Sequence, residues 1–463
     1  MNIPEIFPGA KLHFAGIGGI GMSGLAQMFA DHKFQVSGSD RGSEKPENQR
    51  IIGALRNNGI QIFPQDGSFI RSVTPDFIIY SSALENDNPD FIAAPDIPRI
   101  HRSTALAAMV SGMNDCVSIA VSGSSGKTTV TAWLAETMFL CDMAPSCLNG
   151  GLLNRFSSES NAGNYIHGDG NYMVFEADES DKSLTAYSPD FAILMNIGID
   201  HYSKAELISV FGRFIAKVKT GLVIEKNAYE CLKNLIPSRL KVVVFDGGDW
   251  NLNSCRHEKE KFLVRINDLP EFELPMNGRH NAVNAMAIIA MMAMLGISPQ
   301  YTILSLNEFK GVWRRFDFAG RMNSGARVYD DYAHNVEKIS SCIRSAQELM
   351  PDGRIYAIFQ PHGFAPLSFM REDLLPVLER TLRTIDRFIF LPPFYAGGTS
   401  SFKPTSQEVA DEYNRLGIRE YSCYQERDAV KVLLEHECCA DDLVLIMGAR
   451  DNSLSSWAKS LTG

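Results

Sequence analysis

The chain has 463 residues, 45% of them hydrophobic and 21% charged, with a formal net charge of −10. That length exceeds one ordinary core and points to about two to four domains. The acidic balance excludes a global basic field for nucleic acid or anionic lipid, and the longest apolar run, 285–295, is too short to cross a bilayer.

Residues 11–15, KLHFA, read as a buried strand, the glycines after them as a turn, 22–30 as a helix and FQVSGSD as a second strand. PDFIIYSSA, 75–83, reads as another buried strand that ends in small polar residues. This β-α-β unit predicts a doubly wound sheet. Its turn, Gly16-x-Gly18-x-x-Gly21, matches the dinucleotide fingerprint, with Asp40 at the end of the next strand. The physics requires only a diphosphate at a helix N-terminus, so NAD and a UDP-sugar both fit. The opening MNIPEIFPGA has no basic-then-apolar signal pattern. The nine cysteines are scattered without metal-ligand spacing, as expected of reduced thiols in a cytoplasm.

A second segment opens near 111. The apolar run 117–121 reads as a buried strand and is followed by Ser122-Gly123-Ser124-Ser125-Gly126-Lys127-Thr128-Thr129 and a helical stretch. Strand, glycine loop, lysine, hydroxyl and helix make a phosphate grip. Backbone N–H groups face phosphate oxygens, Lys127 adds charge, Thr128 can bind Mg²⁺, and the helix N-terminus favours the anion. The loop is shorter than GxxxxGK[ST], with Val121 at the first glycine position. Glu176-Ala-Asp178-Glu179-Ser-Asp181 follows the strand YMVF. A carboxylate there is placed to hold Mg²⁺, and Glu176, nearest the strand, is the expected ligand. The other carboxylates are expected to be solvated or structural. Asn196-Ile-Gly-Ile-Asp200-His201 ends the next strand and makes His201 a candidate for a second metal site. Runs such as VVVFDGG and KFLVRIND, between 220 and 275, are β-like. Gly278-Arg279-His280-Asn281-x-x-Asn284 then opens the apolar run, which reads as a buried helix. Asn281 and Asn284 share a helix face and can address a base edge. Equally, His280 or Asn281 can cap the helix.

A third segment begins near 321. ARVYDDYAHN, RIYAIFQPHG, RFIFLPPF and DLVLIMGARDNS each run apolar and stop at polar or glycine residues. In an open parallel sheet such endings converge on one crevice. Arg314-Arg315-Phe-Asp317 and Asp330-Asp331-Tyr332-Ala-His334-Asn335 flank this boundary. Arginine suits phosphate, and aspartate suits ribose hydroxyls.

Taken in order along essentially the whole chain, HFAGIGGIGMSGLA, SGSD, SGSSGKTT, NGG, EADESD, NIGIDH, GRHN..N, RRFDF, DDYAH and QPH resemble the Mur ligase family. The glycine loop and EADESD are most similar to its alanine-adding branch. The resemblance implies three α/β domains: a UDP-binding Rossmann-like domain over 1–110, a central P-loop ATPase-type domain over 111–320, and a C-terminal Rossmann-like domain over 321–463 that binds the acceptor. It implies a cytoplasmic, ATP-dependent carbon–nitrogen ligase of peptidoglycan synthesis. ATP would phosphorylate the lactyl carboxylate of UDP-N-acetylmuramate, and an amine would displace the phosphate. The amine belongs to L-alanine or another small amino acid, or alternatively to a recycled murein peptide. No nucleic-acid or membrane partner is expected, and the chain is expected to be a monomer or weak homodimer.

By motif, Gly18, Gly19 and Gly21 would hold the UDP diphosphate, with Asp40, Ser82, His334 and His362 also on the substrate side. Gly123, Ser124, Ser125, Gly126, Lys127, Thr128 and Thr129 would hold ATP, with His280, Asn281 and Asn284 facing adenine. Arg315 and Asp331 would reach the ATP from the C-terminal segment. Thr128, Glu176 and His201 would organise Mg²⁺, and Lys127, His201 and Arg315 would be the catalytic set. The chain departs from the alanine-adding pattern at Ser124-Ser125, Ser203 and Asn335-Val336. It also carries Gly363 and Pro366 where that pattern has arginines for the incoming carboxylate.

Overall fold

Short apolar runs stopped by glycine or a polar residue set the parallel strands of this chain. The computed structural model describes residues 6–463 except 114, 180–182, 199–202, 259–260 and 396–401. His201, Asp181 and Asp200 therefore lie outside the described residues. The chain divides into two units, Met1–Val312 and Trp313–Gly463.

The first unit opens with β1 (Lys11–Ala15), α1 (Ile20–Asp31), β2 (Gln35–Asp40), α2 (Gln49–Asn57), β3 (Gln61–Pro64), β4 (Phe77–Tyr80), α3 (Pro89–Ala93), β5 (Arg99–His101) and α4 (Arg102–Gly112). The strands form a parallel sheet of order β3-β2-β1-β4-β5. The direction of winding reverses beside β1, so the glycine turn after β1 sits at the switch point, where such sheets bind ligands.

Next come β6 (Val117–Ser122), α5 (Lys127–Leu140), β7 (Ser146–Leu148), β8 (Tyr165–Ile166), β9 (Tyr172–Glu176), β10 (Phe191–Leu194), α6 (Lys204–Ile215), β11 (Gly221–Glu225), α7 (Lys226–Leu232) and β12 (Lys241–Phe245). These strands make a seven-stranded sheet of order β12-β11-β10-β6-β9-β7-β8, in which only the β7–β8 pairing is antiparallel. A small antiparallel sheet follows, made of β13 (Leu252–Glu258), β14 (Lys261–Ile266) and β15 (Phe272–Leu274). The unit closes with α8 (Arg279–Met294) and α9 (Pro299–Leu306). The apolar run is the buried core helix expected of it: α8 packs on α5, α9, β11 and β13. Its N-cap is Gly278 without a side-chain bond, so neither His280 nor Asn281 caps it. Among the described residues no helix is long and apolar enough to cross a membrane.

The second unit holds β16 (Asp317–Arg321), β17 (Arg327–Asp331), α10 (Val336–Leu349), β18 (Ile355–Phe359), α11 (Phe364–Thr381), β19 (Arg387–Phe390), α12 (Ser406–Leu416), β20 (Tyr421–Cys423), α13 (Arg427–Glu437), β21 (Leu443–Met447) and α14 (Ser453–Ser460). The sheet order is β16-β17-β21-β18-β19-β20, with β16 antiparallel to β17 and the rest parallel. Apolar clusters cover both faces, which is why these strands read as continuous apolar runs. The carboxyl ends are stitched together. Gln360 N–H donates to Met447 O at 2.8 Å, and Gly448 N–H donates to Asp331 O at 3.2 Å.

Candidate active site

The phosphate loop joins β6 to α5. Gly126 caps α5 at φ 85, a left-handed conformation that glycine adopts without a Cβ penalty, and Lys127 begins the helix. The loop is clasped by the chain that leaves β10. Asn196 Oδ1 accepts from Ser125 N–H at 2.9 Å, and its Nδ2 donates to Ser125 O at 3.1 Å. Ser124 N–H donates to Asn196 O at 3.2 Å. Ser124 Oγ donates to Gly198 O at 3.1 Å and accepts from Gly198 N–H at 2.9 Å. Asn196 thus shapes the loop. Its only sequence signal was a polar residue directly after an apolar strand.

Lys127 Nζ donates to Gly123 O at 2.7 Å and to Glu179 Oε2 at 2.8 Å, and lies 3.5 Å from Asp178 Oδ1. Burial pulls the Lys127 pKa down, but Glu179, Asp178 and Glu176 more than offset it, so the ammonium titrates above its ordinary value. Burial pushes the Glu179 carboxyl up, although Lys127 opposes this. Of the two expectations for the carboxylates other than Glu176, solvated or structural, Glu179 is not solvated: it is buried and bound to the loop lysine. Glu176 ends β9, where its Oε2 accepts from Gly150 N–H at 3.0 Å. Thr128 is buried against Gly151, the next glycine of the same turn, where a Cβ would lie 2.8 Å from Thr128 Cγ2. Thr129 sits half-buried in the first turn of α5.

The start of α8 approaches the same loop. Asn284 Nδ2 donates to Asn281 Oδ1 at 3.1 Å, and Asn281 Nδ2 donates to Asn277 O at 2.7 Å. A Cβ on Gly126 would lie 3.1 Å from Asn284 Oδ1, so α8 and the phosphate loop meet there. His280 is exposed at the head of that helix.

The first glycine loop is fixed by the end of β2. Gly16 and Ile17 N–H donate to Ser39 O at 2.8 and 2.9 Å. Asp40 accepts from Gly18 N–H at 2.9 Å and from Gly42 N–H at 2.7 Å. Gly19 is the N-cap of α1, whose first N–H groups have no partner within the helix. Ser82 is exposed, two residues beyond the end of β4. A Cβ at Gly21 would lie 2.7 Å from Arg102 Nη1, so the Arg102 guanidinium rests against the first turn of α1. Arg102 in turn lies 3.8 Å from Asp178. An arginine with no sequence signal therefore spans from the first glycine loop to the carboxylates around Lys127. Asn164 fastens α1 to the central segment. Its Nδ2 donates to Ser23 Oγ at 2.7 Å, and its Oδ1 accepts from Gln27 Nε2 at 3.0 Å.

In the second unit the two neighbouring arginines part company. Arg314 is buried, 3.1 Å from Asp330, and donates to Asp451 O and Gly448 O, which makes it a structural clamp. Arg315 is only half-buried, 5.7 Å from the Tyr332 ring centroid. Asp331 is buried and accepts from Phe316 N–H at 2.6 Å and Ala333 N–H at 2.7 Å. His334 Nδ1 donates to Tyr332 O at 2.9 Å, and its ring meets that of His362 edge-on, with centroids 5.1 Å apart.

A glycine loop between a buried strand and a helix, a lysine set among carboxylates and a second glycine loop in the same unit are the arrangement of a nucleotide-dependent α/β enzyme. Three family models match the chain in succession: "Mur ligase family, catalytic domain" over 11–113, "Mur ligase middle domain" over 121–292, and "Mur ligase, glutamate ligase domain" over 314–450. UDP-N-acetylmuramate--L-alanine ligase of Rhizobium meliloti is 30% identical, covering 100% of this chain and 98% of the relative. The enzyme so named from Streptomyces coelicolor is 32% identical, covering 95% and 94%. The crystal structure of UDP-N-acetylmuramate-alanine ligase from Thermotoga maritima is similar with a TM-score of 0.79 and 27% identity, covering 97% of this chain and 98% of that one. A murein peptide ligase from Psychrobacter arcticus shares the fold, with a TM-score of 0.68 at 21% identity and 98% of each chain covered. The chain belongs to the Mur ligase family, has its three-domain α/β fold and is a ligase.

Proposed function

We propose that the chain is the ATP-dependent ligase that joins L-alanine to the lactyl carboxylate of UDP-N-acetylmuramate in peptidoglycan synthesis. The observation that carries this reading is Lys127, held by Gly123 and Glu179 in the phosphate loop, in one unit with a second glycine loop reached by Arg102. One loop suits a triphosphate and the other a nucleoside diphosphate. In the reaction the lactyl carboxylate attacks the γ-phosphorus of ATP and ADP leaves. The amine of alanine then attacks the acyl carbon, the amide bond forms, phosphate leaves with the C–O bond pair, and the amine proton passes to solvent.

Lys127 neutralises charge on the transferring phosphoryl group, and Glu179 and Asp178 hold its ammonium in line; such positioning and neutralisation are the main sources of rate in phosphoryl transfer. Gly123, Ser124, Ser125, Gly126, Thr128 and Thr129 cradle the phosphates, and Asn281 and Asn284, with His280, lie toward adenine. Among the described residues no three of His, Cys, Asp and Glu are grouped to hold a metal by themselves. Mg²⁺ commonly takes one or two protein oxygens and completes its shell with phosphate and water. The Thr128 hydroxyl and the Glu176 carboxylate, both beside the turn Gly150-Gly151, suit that role, with His201 as a further candidate, and the ion would offset phosphate charge.

Gly18, Gly19 and Gly21 bind the UDP diphosphate, Asp40 shapes their turn, and Ser82 lies on the uridine side. Arg315 is the charge in the C-terminal domain suited to phosphate, and Asp331 sets the turn that follows it. His334 and His362 border the acceptor. The domains span 1–110, 111–320 and 321–463, and the enzyme works in the cytoplasm as a monomer or weak homodimer. The test offers amino acids and a murein tripeptide with UDP-N-acetylmuramate and ATP. Formation of UDP-N-acetylmuramoyl-L-alanine is expected. Turnover of the tripeptide alone would reassign the acceptor, and turnover of none would overturn the reading.

A further inference from the structure

Cationic side chains gather where β17, β18 and β21 of the second unit end: Arg315, Lys338 and Arg450 all act on the imidazoles of His334 and His362. Arg450 follows β21 with φ 68, a left-handed conformation that disfavours every residue with a Cβ. Its backbone N–H donates to Tyr332 Oη at 3.4 Å. The Tyr332 ring carries Arg315 at 5.7 Å and His334 edge-on at 5.8 Å, and His334 faces His362. The nearby acids are engaged: Asp331 by two backbone N–H groups, and Asp451 by Arg427 at 2.6 Å and by Ser453. Among the described residues the exposed Arg450 guanidinium pairs with no carboxylate.

Both imidazoles are held neutral, first by burial and then by cations. Lys338 and Arg315 act on His334, which titrates at about 3. Arg450 and Lys338 act on His362, at about 4. His362 Nδ1 is buried and has no hydrogen-bond partner among the described residues. Buried polar atoms of that kind call for an explanation such as a ligand.

The sheet register explains how Arg450 comes to stand here. β18 and β21 are parallel neighbours with Phe359 opposite Met447. His362 and Arg450 each lie three residues beyond that pair, so the two loops leave the sheet side by side. The loop after β18 carries Gly363 and Pro366, and the loop after β21 supplies the arginine instead. We propose that Arg450, with His362 beside it, binds the carboxylate of the incoming amino acid. This inference rests on the ligase reading above and names the acceptor contact within it.

Arg450→Gly is the informative variant, because glycine suits φ 68 and the fold is kept while the charge is lost. A charge-assisted contact of this kind predicts a KM for L-alanine raised about 10- to 100-fold. The KM values for ATP and UDP-N-acetylmuramate should stay within about twofold, and Arg450→Lys should recover part of the loss. The wild-type preference for L-alanine over L-alaninamide should collapse in Arg450→Gly. An unchanged KM for alanine, an unchanged alanine-to-alaninamide ratio, or a rise confined to the KM for ATP would each overturn the assignment. If the wild-type enzyme consumes no amino acid at all, the ligase reading fails first and the assignment falls with it.

Discussion

Lys127→Met removes the ammonium but keeps the apolar stem. The side chains of Lys127 and Glu179 retain only 12% and 8% of their exposure, so Glu179 is left as a buried charge without a partner. Breaking such a pair costs about 3–5 kcal/mol. The lower end, about 3 kcal/mol, applies because the Glu179 carboxyl is already pushed up by burial and can take a proton. Adding Glu179→Gln removes the stranded charge and should return all but about 1 kcal/mol. Catalysis should respond differently. Losing the charge on the transferring phosphoryl should cost about 100- to 1,000-fold in kcat, and the second substitution should not restore it. Urea unfolding of parent, single and double variants, with phosphate release measured on each, separates the two effects. A single variant as stable as the parent, or a double variant that regains activity, would refute the role given to this lysine.

Asn196→Ala should raise the KM for ATP about tenfold by freeing both polar groups of Ser125, with the KM for UDP-N-acetylmuramate unchanged; steady-state kinetics checks this. Asp40→Ala should do the reverse, raising the KM for UDP-N-acetylmuramate about tenfold through the loosened Gly18 turn, and NAD should not compete with UDP for this loop in a binding titration. His334 and His362 titrate at about 3 and about 4 in the fold, against 6.5 when free, so unfolding takes up protons in that window. Stability is therefore full above pH 6.5 and falls as the pH drops toward those values, by at most about 1.4 kcal/mol per pH unit for each imidazole. Replacing both with Asn should flatten the slope of a urea midpoint measured against pH.

Strands with both faces covered were legible from sequence because their signal is local. The run at 11–15 is β1 itself, 117–121 falls short of β6 by one residue, and 285–295 lies along the buried helix α8. The short strands β7 and β8 carried too little apolar sequence to be seen, and their pairing depends on neighbours in the sheet. The glycine loops and Lys127 were visible because a turn and a charge must sit at fixed spacing. Glu179, Asn196, Arg102 and Asn164 were not given their roles. Each acts on a residue 52 to 141 positions away, as in Lys127–Glu179 and Ser23–Asn164, and only the folded sheets bring such residues together. The cap of α8 stayed open between two readings for a related reason. Gly278 adopts φ 95, which turns the chain into the helix without a side-chain cap and leaves Asn281 to bond Asn277.

The most direct test of the central claim is phosphate release with each reactant withheld in turn. The account predicts release only when ATP, Mg²⁺, UDP-N-acetylmuramate and L-alanine are present together, with one amide product formed per phosphate. Phosphate released at the full rate without the sugar acid would contradict it.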